Sequence, residues 1–187
     1  MTITTRRGFV LGVSALALTT AAACNNAVGT SNGATIDARA DAALSFLETN
    51  YPGTVDLRNN SAGMLIMPLI TEAGFGVGGA YGEGVLRING VTVDFYSAAN
   101  ASVGFQIGAQ QYSHVLYFMT EEALQTFRTS PGWAAGADVK YALNAQGQTL
   151  LADTTTLTSP VIAVVFGQAG MIAGATLEGT KYTRILR

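Results

Sequence analysis

The spacing of apolar positions changes character along this chain. Over residues 35–50, Ile36, Ala40, Ala43, Leu44 and Leu47 keep helical spacing while Arg39, Asp41 and Glu48 fall off the stripe. The pattern predicts an amphipathic helix, capped by Thr35 or Asp37 and stopped by Tyr51-Pro52-Gly53. From residue 62 the spacing turns extended. Met64 to Met67 is a short apolar run ended by Pro68, and residues 75–88 hold Phe75, Val77, Tyr81, Val85, Leu86 and Ile88 among glycines. Asn89-Gly90 predicts a two-residue hairpin, because a type I′ turn needs positive φ at both central positions. Val91, Val93 and Phe95 then alternate with Thr92, Asp94 and Tyr96, as in a half-buried strand, and Val103, Phe105, Ile107 and Ala109 alternate likewise. Val115 to Met119 reads as a buried strand.

Thr120-Glu121-Glu122 opens a second, shorter helix, with a capping hydroxyl and acids at its positive end. Leu124 and Phe127 face inward, and Ser130-Pro131-Gly132 ends it. Further strands fall near 137–143, 160–167, 170–178 and 180–186, with a turn at Gly147 and a Thr-rich loop over 152–159. The sum is about ten strands and two helices, an α+β fold whose antiparallel sheet curves strongly into a barrel- or sandwich-like form. No linker divides the strand signals, so residues 35–187 form one domain.

Glycine reinforces the expectation of curvature. Gly74, Gly76, Gly78, Gly79, Gly82 and Gly84 crowd one segment, and Gly167, Gly170, Gly174 and Gly179 another. In a strand, glycine weakens packing unless a bulge, a sharp bend or a close backbone approach requires it. Gly78, Gly79 and Gly82 are expected to serve such contacts.

Composition narrows the function classes. Of 187 residues, 49% are hydrophobic and 12% charged, which excludes a disordered chain. A net charge of -2 argues against a broad electrostatic grip on nucleic acid. A single Cys excludes a disulfide framework and a thiolate zinc cluster, and a single His excludes a multi-histidine metal centre. No cofactor is expected.

Residues 1–23 read as an export signal of the twin-arginine kind. Arg6 and Arg7 precede Phe9, a mild apolar stretch follows, and Ala21-Ala22-Ala23 supplies small residues for cleavage. The stretch is too short to span a bilayer. Cys24, directly after the small residues, resembles the lipobox cysteine that becomes acylated, although Ala21 stands where Leu is usual. The alternative is ordinary cleavage that leaves an idle thiol. Asn25 rather than Asp follows, similar to lipoproteins sent on to an outer membrane. Residues 24–34 form a flexible tether. Loss of Arg6 and Arg7 on cleavage leaves eight basic residues against twelve acidic, a net charge of -4.

Candidate chemistry is sparse. Gly74-x-Gly76-x-x-Gly79, with Asp94 beyond it, matches a dinucleotide fingerprint, but Tyr81-Gly82-Glu83-Gly84 follows where a helix should hold the pyrophosphate. His114 lies beside an apolar run, and Ser113 should point to the opposite strand face, so a structural role is expected. Glu83 and Glu178 could form a carboxylate pair, but are expected to accept local hydrogen bonds. Tyr81, Tyr96 and Trp133 are expected to fill a core or rim rather than stack on a ligand.

A longer pattern is more specific. Met64-Leu65-Ile66-Met67-Pro68, residues 73–86 with Gly78, Gly79, Tyr81, Gly82, Glu83 and Gly84, then Gly104-Phe105-Gln106-Ile107-Gly108 follow in order. Gly136-Ala137-Asp138 and the closing 170–181 run around Glu178 complete it. This succession resembles the SYLF domain family across about residues 36–187. The resemblance implies a lipid-binding module without enzymatic activity. Eukaryotic members bind phosphoinositides and act as actin regulators that bind the Las-type nucleation factor, while bacterial members are typically exported, many as lipoproteins. In eukaryotic members lipid contact is ascribed to a basic amphipathic N-terminal segment. Here residues 36–49 carry Arg39 alone against Asp37, Asp41 and Glu48, which argues against phosphoinositide recognition. The expectation is therefore a lipid-binding envelope module anchored through Cys24 to the outer membrane. Its partner is membrane lipid, contacted directly or through the acyl anchor, with no nucleic acid and no protein partner named by the sequence. A structural or protein-interaction module of the envelope is the alternative, and a hydrolase using Glu83 or Glu178 is a third.

Overall fold

Asn32 opens the first helix: its side-chain oxygen accepts from the Thr35 amide at 2.8 Å and also from the Thr35 hydroxyl. The cap thus lies earlier than Thr35 or Asp37, and Asp37 is left free to pair elsewhere. The computed structural model describes residues 32–136, 139–141, 159–167, 170, 171 and 177–187. Arg6, Arg7, Phe9 and Cys24 lie outside these, as do Gly147, most of the Thr-rich loop and much of the strand expected over 170–178. Helix α1 spans Gly33–Asn50 and buries Ile36, Ala40, Leu44 and Leu47, the stripe its spacing predicts. Tyr51 ends it.

A second helix, α2 (Thr54–Asn60), follows at once and has no counterpart in the sequence reading. The Thr54 hydroxyl donates to the Tyr51 carbonyl at 2.7 Å, Leu57 is buried, and Arg58 reaches Glu48 of α1 at 3.2 Å. These tertiary contacts hold a helix too short to stand on propensity alone.

The sheet is built on two very long strands. β1 (Gly63–Ile88) and β2 (Val91–Phe118) pair antiparallel from Gly63↔Phe118 to Ile88↔Val91, joined by Asn89 at φ 51° and Gly90 at φ 78°. Runs that read as separate strands are continuous here, so seven strands replace the expected ten among the described residues. Register shifts at Met67/Ile70, Phe75/Gly76 and Leu86/Arg87 bend the ribbon instead of breaking it. It curls until β1 lies across itself. A Cβ placed on Gly84 would sit closer than 3.0 Å to the Ile66 carbonyl oxygen, and one on Gly82 equally close to that of Leu69. Residues 63–70 and 82–87 thus pack face to face, with the Phe75/Gly76 shift at the bend between them. Gly79 is looser, 3.3 Å from the Asn100 carbonyl oxygen.

After β2 come α3 (Glu121–Thr129), β3 (Trp133–Ala134), β4 (Val139–Tyr141), β5 (Val161–Gly167), β6 (Gly170–Met171) and β7 (Lys181–Ile185). Thr120 caps α3 as expected, accepting from the Ala123 amide at 3.2 Å. β2 is the spine: its first part pairs with β7 through Phe95↔Ile185 to Ala99↔Lys181, and its last part with β5 through Ser113↔Phe166 to Phe118↔Val161. Every pairing described is antiparallel except β4 with β5. The fold is α+β with a strongly curled sheet, and three helices rather than two among the described residues.

β5 is buried on both faces and separates two apolar clusters. Val161, Ala163 and Val165 join Leu65, Met67, Tyr96, Phe118 and α3's Phe127 inside the curl. Ile162, Val164 and Phe166 join Met64, Ile66, Val85 and the buried stripe of α1 on the outer face. Phe127 anchors the inner cluster, its ring 4.7 Å from that of Tyr96 and 4.8 Å from that of Phe118.

Candidate functional site

The strand after the hairpin turn does not bury the row its alternation suggests. Asp94 and Tyr96 face inward at 6% and 2% exposure, whereas Val91 and Val93 stand open at 63% and 41%. The inward Asp94 carboxylate is met by Arg184 of β7 at 2.5 Å and by Arg128 of α3 at 3.4 Å. Paired charges tolerate burial that a lone carboxylate would not. Tyr96 lies against Phe127, and burial, helped by the neighbouring Asp94 charge, pushes its phenol above the usual range.

At the same end of the sheet, Arg87 is held between two acids of α1. It reaches Asp37 at 3.0 Å and Asp41 at 2.7 Å, while the Thr92 hydroxyl donates to Asp37 at 2.6 Å. Glu48 faces Arg58, so all three acids of this helix meet an arginine. A shallow concavity on α1 is lined by Asp41, Leu44, Ser45, Glu48 and Thr49. Its two carboxylates suit it poorly to an anionic headgroup.

Of the residues singled out by motif, Tyr81 and Glu83 do come together. The Tyr81 hydroxyl donates to Glu83 at 2.9 Å, and Arg187 pairs with the same carboxylate oxygen. The second carboxylate oxygen is buried without a hydrogen-bond partner. Burial and Glu83 together raise the Tyr81 phenol. Gly82 and Gly84 flank Glu83 and make the close crossing described above, and Gly78 and Gly79 continue the ladder opposite Ser102 and Ala101. Glu178 sits in the exposed turn before β7, where its carbonyl accepts from Asn100 at 3.3 Å. Trp133 packs beside Phe127 and Tyr182 in the inner cluster.

His114 and Ser113 point to different neighbours. Ser113 donates to the Pro68 carbonyl at 2.7 Å, across the bulge in β1. His114 is wholly buried, its Nε2 is 2.8 Å from the Tyr182 hydroxyl, and its Nδ1 has no partner. Burial alone lowers its pKa to about 3. The ring is therefore neutral at ordinary pH and out of a substrate's reach.

That burial has a consequence for stability. Between pH 6.5 and about 3 the unfolded chain takes up a proton that the folded ring refuses. Stability must fall as pH falls through this window, by about 1.4 kcal/mol per unit, hence about 2 kcal/mol from pH 7 to pH 5. Urea unfolding of the parent and of His114→Gln at both pH values checks it. The variant should lose most of the drop; equal drops in both would contradict a buried neutral histidine.

Sequence reasoning found Glu83, Tyr81 and the glycines, but missed the Asp94 and Arg87 clusters. Their partners lie 34 to 90 residues away, and no local spacing announces them. Residues 99–184 match the Ysc84 family, described as Las17-binding protein actin regulator. The matched segment begins within β2 and ends within β7, and so includes His114, Tyr182 and Glu178. No curated protein matches the chain.

Proposed function

Because the chain belongs to the Ysc84 (SYLF) family through residues 99–184, we propose that it is a lipid-binding module of a bacterial cell envelope. On this reading residues 1–23 direct export, and acylated Cys24 holds the domain to the outer membrane. The reading takes the domain to be non-enzymatic and free of cofactor. The match over residues 99–184 supports the reading, and the state of the arginines argues that the contact is not driven by charge. Arg58, Arg87, Arg128, Arg184 and Arg187 each face a carboxylate of this same chain. Cations already paired add little attraction to an anionic surface, where a free one contributes about 1 kcal/mol. Membrane affinity then rests on acyl chains and apolar contact.

Flotation with phosphatidylethanolamine–phosphatidylglycerol vesicles tests this on purified Cys24→Ala protein. A minor fraction should float, and raising the salt from about 0.01 M to about 1 M, which shortens the screening length from about 30 Å to about 3 Å, should leave that fraction unchanged. Binding abolished by salt would reveal a basic lipid site instead. No flotation under any condition would leave the anchor as the whole of the membrane contact and defeat the lipid-binding reading of the domain.

A further inference from the structure

Among the described residues four large hydrophobic side chains are exposed: Tyr81, Val91, Val93 and Leu186. Three of them share one end of the sheet. Val91 and Val93 lead out of the Asn89-Gly90 turn, and Leu186, 89% exposed, directly follows Ile185, which pairs with Phe95. Their companions along the strand, Asp94 and Tyr96, are the buried row, so the two valines lie on the opposite face with Phe95, and are exposed where that face runs beyond the start of α1.

The first turn of α1 comes to this same end. Gly33 packs against the Phe95 ring, and Asp37 bonds both Arg87 and Thr92 on either side of the hairpin turn. Nine Cα-to-Cα steps separate Cys24 from Gly33. At about 3.5 Å each, they reach no further than about 32 Å. The Phe75/Gly76 bend lies at the other end of the folded ribbon, some thirteen residues of strand from the turn, or about 43 Å along the strand. An anchor at Cys24 therefore brings the hairpin end to the bilayer before the bend.

Asp37, Asp41 and Asp94 are matched by Arg87, Arg128 and Arg184. The surface that meets the membrane thus presents apolar side chains beside ion pairs already closed on themselves.

We infer that the hairpin end carrying Val91, Val93 and Leu186 is the membrane-facing surface of the domain and seats against lipid acyl chains. This rests on the reading of Cys24 as the anchor and adds to it an orientation and a contact surface. The occupant is the bilayer that holds the acylated tether. The three side chains enter the headgroup–acyl boundary, at a depth of about 5–10 Å.

The test uses the full chain, exported, purified from membranes in detergent and returned to phosphatidylethanolamine–phosphatidylglycerol vesicles. Cys24 is the only cysteine, so once acylated it leaves no free thiol. Val93→Cys and Leu186→Cys each then carry a unique site for an environment-sensitive maleimide dye, and exposed Ala73→Cys, beside the Phe75/Gly76 bend, is the control. All three positions are open to solvent, so the dye should not disturb the core. The dye at 93 and at 186 should shift to the blue and be quenched by phospholipid bearing a nitroxide on its acyl chain; the dye at 73 should do neither. Quenching at 73 equal to that at 93, or none at 93 in a chain that resists the dye without an added cysteine, overturns the orientation while leaving the anchor intact. Dye uptake by the wild-type chain would show a free Cys24, and both the anchor and this orientation would fall.

Discussion

Gly84→Val should leave the protein unable to fold, and Gly84→Ala should lower its stability by about 3 kcal/mol. The reason is the crossing of β1 over itself. A side chain at Gly84 would meet the Ile66 carbonyl oxygen and the Met67 sulfur, and one at Gly82 would meet the Leu69 carbonyl oxygen and Ile70. Met67 can change rotamer, but the Ile66 and Leu69 carbonyls belong to the backbone and cannot move without opening the curl. That curl encloses the inner cluster of Leu65, Met67, Tyr96, Phe118 and Phe127, so separating its layers would admit water to the core. A domain of this size has about 5–15 kcal/mol in all, and a loss of this order is a large share of it. Gly79→Ala is the contrasting case. Its new methyl would stand 3.3 Å from the Asn100 oxygen, a contact relieved by a small shift, and its cost should stay below about 1 kcal/mol. Urea midpoints of the two alanine variants decide the matter. If Gly84→Ala unfolds together with the parent, the close crossing does not exist in solution.

The same glycines show what the sequence made legible. Their density pointed to a tightly curved antiparallel sheet, and the sheet is curled. The density did not reveal that they sit in one unbroken strand of 26 residues, because glycine and alanine look like interruptions when only side-chain alternation is read. The Asn89-Gly90 turn, the buried stripe of α1 and the Thr120 cap were all readable, since each depends on residues within a few positions of one another. α2 was not, because only Leu57 and Thr54 are buried in it and its stability comes from Tyr51 and Glu48 of the preceding segment. Val91 and Val93 reversed the expected rule that the apolar row goes inward. Asp94 can take the inner side there because Arg128 and Arg184 arrive from distant elements. Of the candidate site, Tyr81 and Glu83 were found as motif residues, but Arg187, which closes on Glu83, lies 104 residues further along. The paired arginines are likewise a property of the fold, not of any short stretch.

Cys24→Ala should move the protein from the membrane to the soluble fraction almost completely. Burial of acyl chain contributes about 0.8 kcal/mol per CH₂, so the several chains of a bacterial lipid anchor hold a protein to the bilayer for practical purposes permanently. Nothing among the described residues replaces that. On the proposed cleavage the net charge is -4, and Arg58, Arg87, Arg128, Arg184 and Arg187 are closed on carboxylates. Val91, Val93 and Leu186 offer only a few exposed side chains, enough to orient an anchored domain and too few to retain a free one. The most direct measurement is therefore palmitate labelling and fractionation of a bacterial host expressing the wild-type chain and Cys24→Ala side by side. Wild type should take the label and pellet with membranes, and the variant should take none and become soluble. A wild-type chain that is unlabelled and soluble would contradict the account, and Ala21-Ala22-Ala23 would then mark an ordinary cleavage site.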